Sequence, residues 1–240
     1  MKIMVGVNTL SVIEQPIYSN HCQFWFRLGR NFSNDYQFAL HHPKRMSIDR
    51  MRNETAKMAL HNEFDYIMFI DDDVLVPFDA LQNLLACEAD IAAGWTIIRG
   101  YPFNNMFFKW DDKTPPGLVH YNDLPEGKCI LDVAAVGFSC ALIKCSLLHK
   151  INPPFFVTGP LNTEDIYFCI KAQKQVPDVK IVVNLNVKTA HMMGAEAVDP
   201  DSRLAHLKYY ETVYPDVCKP ENGTSDRGDE YVKQVKAALV

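Results

Sequence analysis

The stretch Tyr66-Ile67-Met68-Phe69-Ile70-Asp71-Asp72-Asp73-Val74-Leu75-Val76-Pro77 decides how the rest of this chain is read. A short, apolar and partly β-branched run ends abruptly in three carboxylates. Such a run predicts a strand buried on both faces. Three adjacent like charges at the mouth of a buried strand repel one another and require a counter-charge. Side chains on a strand alternate with period two. Asp71 and Asp73 are therefore expected on one side, as a two-oxygen pincer for a hard divalent cation. Acidic clusters after strands also serve as solvated turns or helix caps. Three aspartates in succession after strong apolar residues favour the metal site. Pro77 suits an early helical position, with Leu81, Leu84 and Leu85 continuing an apolar stripe.

Working outward, strands are expected at 3–7, 36–40 and 91–93, and helices at 46–62 and 78–87. The first of these helices carries Ile48, Met51, Thr55, Met58 and Ala59 on one face. Alternating β and α predict an α/β protein, with an open, mostly parallel twisted sheet flanked by helices. Ligands in such sheets bind beyond the carboxyl ends of the strands. The acidic triplet and the loop at 8–11 both fall on that edge. The second half reads as a smaller, mixed β region. Loops over 100–127 hold a β-ribbon at 106–110. Strand-like segments follow at 130–136 and 140–144, a helix at 163–175, a strand at 179–185 and a helix at 202–210. A short helix at 230–239 closes a polar tail.

The 240 residues are 48% hydrophobic and 22% charged, with a net charge of −5. That is an ordinary globular composition, and its acidity argues against a generally basic nucleic-acid binder. The longest apolar candidate, 133–143, is about half the ~20 residues of a membrane span. The apolar segment within 1–10 is too short for a signal peptide. Seven scattered cysteines without a Cys-x-x-Cys argue against a disulfide framework or a zinc site, and for free thiols in a reducing cytosol. The sequon Asn222-Gly223-Thr224 carries little weight without a secretion signal.

Three further groups carry potential chemistry. Asn162-Thr163-Glu164-Asp165 opens a helix. It reads as a cap with acidic first-turn residues, or as a rigidly held general base. His191, within Lys188-Thr189-Ala190-His191-Met192-Met193-Gly194, follows an apolar strand. Beside two carboxylates its imidazole makes a mixed N/O site favouring Mn²⁺ over Mg²⁺. Arg50-Met51-Arg52-Asn53 is either a solvated basic helix face or a set of donors for a nucleotide base or phosphates.

In this order the elements resemble glycosyltransferases with the GT-A (Rossmann-like) fold, of the family-2-like kind found in bacteria, viruses and bacteriophages. The stretch from Tyr66 to Pro77 is similar to their nucleotide-sugar Asp-x-Asp element. Thr163-Glu164-Asp165-Ile166-Tyr167-Phe168-Cys169-Ile170-Lys171-Ala172 is similar to their x-Glu-Asp element. The resemblance covers residues 1–194. No Gln-x-x-Arg-Trp motif is present, so processive polysaccharide synthases match poorly.

The resemblance implies one domain over 1–200. Residues 1–100 would be the nucleotide-binding half and 101–200 the acceptor half, with 201–240 a helical and polar tail. It implies that Asp71, Asp73 and His191 hold Mn²⁺ (or Mg²⁺). Asn8, Thr9, Arg50, Arg52, Asn53, Asp71, Asp72 and Arg99 would bind the nucleotide-sugar donor, with a UDP-sugar favoured. Gly137, Phe138 and Trp95 would approach the sugar or acceptor. Asp165, with Glu164 beside it, would deprotonate an acceptor hydroxyl and give inversion. The acceptor stays open among a saccharide, a lipid-linked glycan, a protein or a hydroxylated DNA base. Dense aromatics (Tyr101, Phe103, Phe107, Phe108, Trp110, Tyr121, Phe155 and Phe156) are expected near it.

Three rivals remain. In a haloacid-dehalogenase-type phosphatase Asp71 would be the nucleophile and Asp73 the acid/base. That reading lacks a convincing late acidic pair, since the only late Gly-Asp is Gly228-Asp229. A nucleotidyltransferase on a related sheet lacks a Gly-rich phosphate loop. A non-catalytic nucleotide-sugar or glycan-binding module is the third.

Overall fold

A computed structural model describes residues 1–9, 12–32, 36–111, 117–159, 163–194, 196–215 and 218. The chain runs β1 (Lys2–Asn8), α1 (Gln15–Phe32), β2 (Gln37–His41), α2 (Ile48–His61), β3 (Tyr66–Asp71), β4 (Val74–Leu75), α3 (Ala80–Leu85) and β5 (Ile91–Trp95). It continues through β6 (Phe107–Asp111), β7 (Gly117–His120), β8 (Ile130–Asp132), β9 (Ala135–Val136), β10 (Cys140–Lys144), α4 (Cys145–Leu148) and α5 (Glu164–Gln175). β11 (Ile181–Lys188), β12 (Ala190–Met193), β13 (Glu196–Val198) and α6 (Arg203–Val213) complete it. The helix expected at 230–239, the sequon, Gly228-Asp229, Asn162 and Ser11 lie outside the described residues.

The protein is an α/β structure built on a mixed seven-stranded sheet of order β2-β1-β3-β10-β5-β11-β8. β2, β1, β3, β5 and β11 run one way, while β10 and the edge strand β8 run the other. The mostly parallel sheet is therefore present, with β10 wedged antiparallel between β3 and β5. Two three-stranded antiparallel sheets, β13-β12-β4 and β7-β6-β9, form the smaller β region.

β3 explains why its apolar run has no polar alternation. Ile67 and Phe69 enter the core that includes Ala56 and Ala59 of α2 and Phe168 of α5. Met68 and Ile70 enter the opposite core, with Phe24 and Leu28 of α1 and Leu81 and Leu84 of α3. Both faces of the strand are covered, so both must be apolar. α1 has no counterpart in the expectations above. Ile17, His21, Phe24 and Leu28 form its buried stripe at i, i+4, i+7 and i+11. Exposed Tyr18 and Phe26 blur that stripe in the sequence.

Several boundaries move. The helix after the triplet starts at Ala80, so Pro77 precedes it, and β4 occupies the intervening chain. The strand-like 130–136 is two short strands in different sheets. His191, expected after a strand ending at 185, sits inside a further strand, β12. Of the seven cysteines, all free thiols, Cys87, Cys140, Cys145 and Cys169 are buried. Burial pushes the Cys140 and Cys145 thiols up to about 12, which leaves them protonated and inert. Among the described residues no helix is long and apolar enough to cross a membrane.

Candidate active site at the carboxyl edge of the sheet

β1 and β3 are parallel and in register, so Asn8 lies opposite Asp71 at their carboxyl ends. β10 enters the sheet at the same edge, and the Asp71 N–H donates to the Ser139 carbonyl at 3.0 Å. Alternation along β3 carries Asp71 to the side of Phe69, which is the side of α2. Arg52 reaches it from there. Its Nη2 lies 3.0 Å from Asp71 Oδ1 and its Nε 2.9 Å from Glu164 Oε1. Nη1 donates to the Phe138 carbonyl at 3.3 Å. The guanidinium also lies 4.9 Å from the Phe69 ring centroid and 5.6 Å from that of Phe138.

Arg52 is only 2% exposed. Expected to line a nucleotide pocket, it instead ties the end of β3 to the start of α5 from inside the protein. A buried guanidinium costs several kcal/mol of desolvation unless it is fully paired. Here three of its nitrogens have partners.

The outer half of the site is built differently. β3 ends at Asp71, and Asp72 and Asp73 form a turn before β4. Strand alternation therefore does not govern Asp73. β4 pairs with β12, placing Val74 opposite His191. α1 secures this segment. The Asn20 side chain donates to the Val76 carbonyl at 3.1 Å and accepts the Val76 N–H at 2.8 Å. His21 Nε2 donates to the Val74 carbonyl at 3.0 Å. Asp73 Oδ1 then lies 3.5 Å from His191 Nε2, and Oδ2 lies 2.5 Å from Arg99 Nη1. His191 Nδ1 is 2.9 Å from the Ile97 carbonyl. A carbonyl only accepts, so Nδ1 carries the proton and Nε2 is the nitrogen that can lose one.

The expected pincer is thus divided. Asp71 is committed to buried Arg52, while Asp73 is committed to His191 and Arg99. Among the described residues no three histidine, cysteine, aspartate or glutamate side chains converge closely enough to hold an ion. The residues do not form a closed metal cage. They do fit an ion that takes Asp73 and His191 as protein ligands and completes its shell from substrate phosphates and water. The Ile97 carbonyl on Nδ1 fixes the orientation of the His191 ring and leaves Nε2 facing Asp73, the arrangement a ligating imidazole would need.

The electrostatics follow this geometry. Burial pushes the Asp71 carboxyl up to about 6, against the pull of Arg52. Burial also works upward on Asp73, but His191 and Arg99 outweigh it and hold it below the usual carboxylate range. For His191, burial opposes the charge, yet Asp73 and the Ile97 carbonyl win and raise its pKa. Burial and neighbouring Asp165 push Glu164 up, with Arg52 pulling the other way.

Glu164 and Asp165 occupy the first turn of α5, where carboxylates stabilise a helix by ~0.3–1 kcal/mol each. Asp165 Oδ1 accepts the Ile166 N–H at 2.7 Å, and Oδ2 accepts the Phe138 N–H at 3.3 Å. Both residues are buried. At the end of β1, the two polar atoms of the Asn8 side chain and Thr9 Oγ1 are buried and have no hydrogen-bond partner among the described residues. Buried polar atoms are nearly always paired in native proteins, so these three are open to a polar partner.

The remaining expected residues are placed elsewhere. Asn53 clamps the chain at 155–156, donating to the Phe156 carbonyl and accepting the Phe155 and Phe156 N–H groups. Arg50, about 200° around the helix from Arg52, is exposed and lines an open groove of about 600 Å³ with Lys57, Pro153 and Pro154. Phe138 is fully buried and stacks on Phe69. It is a core residue and not a sugar platform. Gly137 packs so tightly that a Cβ would lie 2.7 Å from the Met106 methyl. Trp95 is half-buried and donates from Nε1 to Asn105 Oδ1 at 2.8 Å. Asp72 is half-buried in the turn. Of the aromatics expected near an acceptor, Phe103, Phe107, Phe155 and Phe156 are core residues, whereas Trp110 is 43% exposed.

Sequence reasoning missed the clamp from Asn20 and His21. It also missed a buried hydroxyl chain under the site. Ser139 donates to Thr96 at 2.8 Å, and Thr96 lies 2.6 Å from the Thr189 hydroxyl. Single small polar residues inside apolar segments carry no periodic signal. The only available hint was their position where a strand begins or ends.

No family model matches the chain, and no curated protein sequence matches it. Among solved structures it is similar to the crystal structure of A197 from STIV. The TM-score is 0.57 and the identity 18%, over 84% of this chain and 91% of that one. At this identity the likeness is one of fold. A structure of UDP-glucose pyrophosphorylase complexed with UDP-glucose aligns at TM-score 0.46 and 8% identity, over 90% of this chain and 98% of that one.

Proposed function

We propose that this protein is a divalent-cation-dependent glycosyltransferase that moves a sugar from a nucleoside-diphosphate sugar to a hydroxyl acceptor with inversion. A UDP-sugar is the favoured donor, and Mn²⁺ (or Mg²⁺) the favoured ion. The observation that carries this reading is the gathering of five acidic or imidazole side chains at one sheet edge. Asp71, Glu164 and Asp165 surround buried Arg52, while Asp73 and His191 pair at the mouth.

In this reading Asp73 and His191 hold the ion, and Asn8 and Thr9 meet the donor with their unpaired polar atoms. A bound divalent cation neutralises the charge that develops on the departing nucleoside diphosphate. Arg52 fixes Asp71 and Glu164 without touching substrate. Glu164 Oε1 is held by buried Arg52, so that oxygen is turned away from an acceptor hydroxyl. Asp165 forms no ion pair among the described residues and is held by two backbone N–H groups. It therefore takes the proton of the acceptor hydroxyl, a role typically worth ~10²–10⁴-fold.

The phosphatase alternative requires the Asp71 carboxylate to attack a phosphorus atom, and one of its two oxygens is bound to buried Arg52. A binding module without turnover is favoured by one observation, that Arg99 and His191 already occupy Asp73. The test is nucleotide release from a panel of nucleoside-diphosphate sugars, with Mn²⁺ and with EDTA. Release that needs both the ion and an acceptor supports the transferase. Tight donor binding with no release in any combination supports the binding module.

A further inference from the structure

Two arginines meet the acidic turn, and only one of them is free to leave. Arg99 contacts Asp73 at 2.5 Å, yet its side chain is 52% exposed and Asp73 is 28% exposed. The backbone around Arg99 is held. Ile98 N–H donates to the Asn104 carbonyl, and Gly100 N–H donates to the Ile98 carbonyl, both at 2.9 Å. The neighbouring space is open, since a Cβ at Gly100 would meet nothing within 4 Å. Movement here therefore belongs to the side chain. The guanidinium sits on the Asp73 oxygen that His191 leaves unoccupied, and a cation chelated by both carboxylate oxygens would need that oxygen.

We propose that Arg99 is a built-in counter-ion for Asp73. It holds the carboxylate while no metal is bound, yields that oxygen to the divalent cation, and then pairs with the diphosphate. This rests on the metal-dependent reading above. Physically, Asp73 lies beside Asp71 and Asp72, and a resident cation offsets their repulsion. The arriving ion replaces one positive charge by two. The displaced guanidinium, which suits phosphate geometry, is left facing the anion that accompanies the ion. Arg99 thereby makes metal and diphosphate bind as a pair, because either one alone leaves a charge uncompensated.

The test measures Mn²⁺ alone by electron paramagnetic resonance, and then inorganic pyrophosphate at saturating Mn²⁺ by calorimetry. The proteins are wild type, Arg99→Gln, Arg99→Lys and Asp73→Ala. Arg99→Gln should bind Mn²⁺ roughly two- to five-fold more tightly, the size of one partly exposed ion pair removed. The same variant should bind pyrophosphate roughly ten-fold more weakly, as expected for a lost charge-assisted bond. Arg99→Lys should stay near wild type on both. Opposite signs for metal and pyrophosphate are the signature, since a merely structural arginine would weaken both when removed. If Arg99→Gln binds Mn²⁺ no more tightly while Asp73→Ala abolishes binding, the metal site stands and the counter-ion role falls. Absence of Mn²⁺ binding in every protein removes both.

Discussion

Arg52 and Arg99 face the same acidic turn with the same chemistry, and burial separates their roles. Arg52 is sealed, with partners on β3, α5 and the chain before β10, and stacks beside two phenyl rings. Arg99 holds one oxygen of Asp73 from a half-exposed position. A sealed ion pair is costly to break because the partner charge is left in a low dielectric, whereas water readily replaces an exposed one. The Arg52 pairs with Asp71 and Glu164 are therefore scaffold, and the Arg99–Asp73 pair is the exchangeable one.

The strongest way to break this comparison is to neutralise the inner arginine. Arg52→Met should cost roughly 3–5 kcal/mol in urea unfolding, since it strands buried carboxylates, while Arg99→Gln should cost under ~1 kcal/mol. Equal losses would erase the distinction. Next in size is Asp165→Asn, which should lower kcat by roughly 10²-fold or more while retaining Mn²⁺-dependent donor binding. Glu164→Gln should act mainly on stability through Arg52. A wild-type rate for Asp165→Asn would transfer the base role away from that residue.

The outer half should also respond to pH, and in two opposed senses. His191 has a folded pKa above its ordinary 6.5. Its stabilising contribution is fully present below the unfolded value near 6.5 and is lost as pH rises through the folded value. Metal affinity should move the other way, because Nε2 must lose its proton before it can coordinate. Across that window wild type should lose stability relative to His191→Gln while gaining Mn²⁺ affinity. Parallel pH curves for the two proteins would contradict the pairing with Asp73. The smallest effect is on the stability of Asp73→Ala. Its partners are at least partly accessible or hydrogen-bonded elsewhere, so unfolding free energy should change by less than ~1 kcal/mol.

Much of the sheet was legible because its strands carry strong period-free apolar runs. β10 at Cys140–Lys144 falls where expected, and β3 ends one residue beyond the expected boundary. The direction of β10 was not legible, since reversal of a buried strand leaves no mark on its composition. α1 was missed because exposed aromatics hide its buried stripe. At the site, residue types were readable but commitments were not. Arg52, Asn53 and Phe138 looked like ligand-facing groups, and the tertiary fold turns all three inward. Asp71 and Asp73 looked like a pair, but the strand ends between them and hands each to a different cation. Local periodicity predicts which way a side chain leaves its own strand, and it says nothing about the element that arrives to meet it.

The central claim is that Asp73 and His191 form the outer, metal-dependent half of a nucleoside-diphosphate-sugar site. The most direct measurement is calorimetric titration of UDP into wild type and Asp73→Ala, each in Mn²⁺ and in EDTA, with folding of both checked by circular dichroism. The account predicts UDP binding by wild type in Mn²⁺ only, and none by the folded variant in either condition. Equal UDP affinity in Mn²⁺ and EDTA, or an Asp73→Ala protein that binds UDP·Mn²⁺ as wild type does, would contradict it.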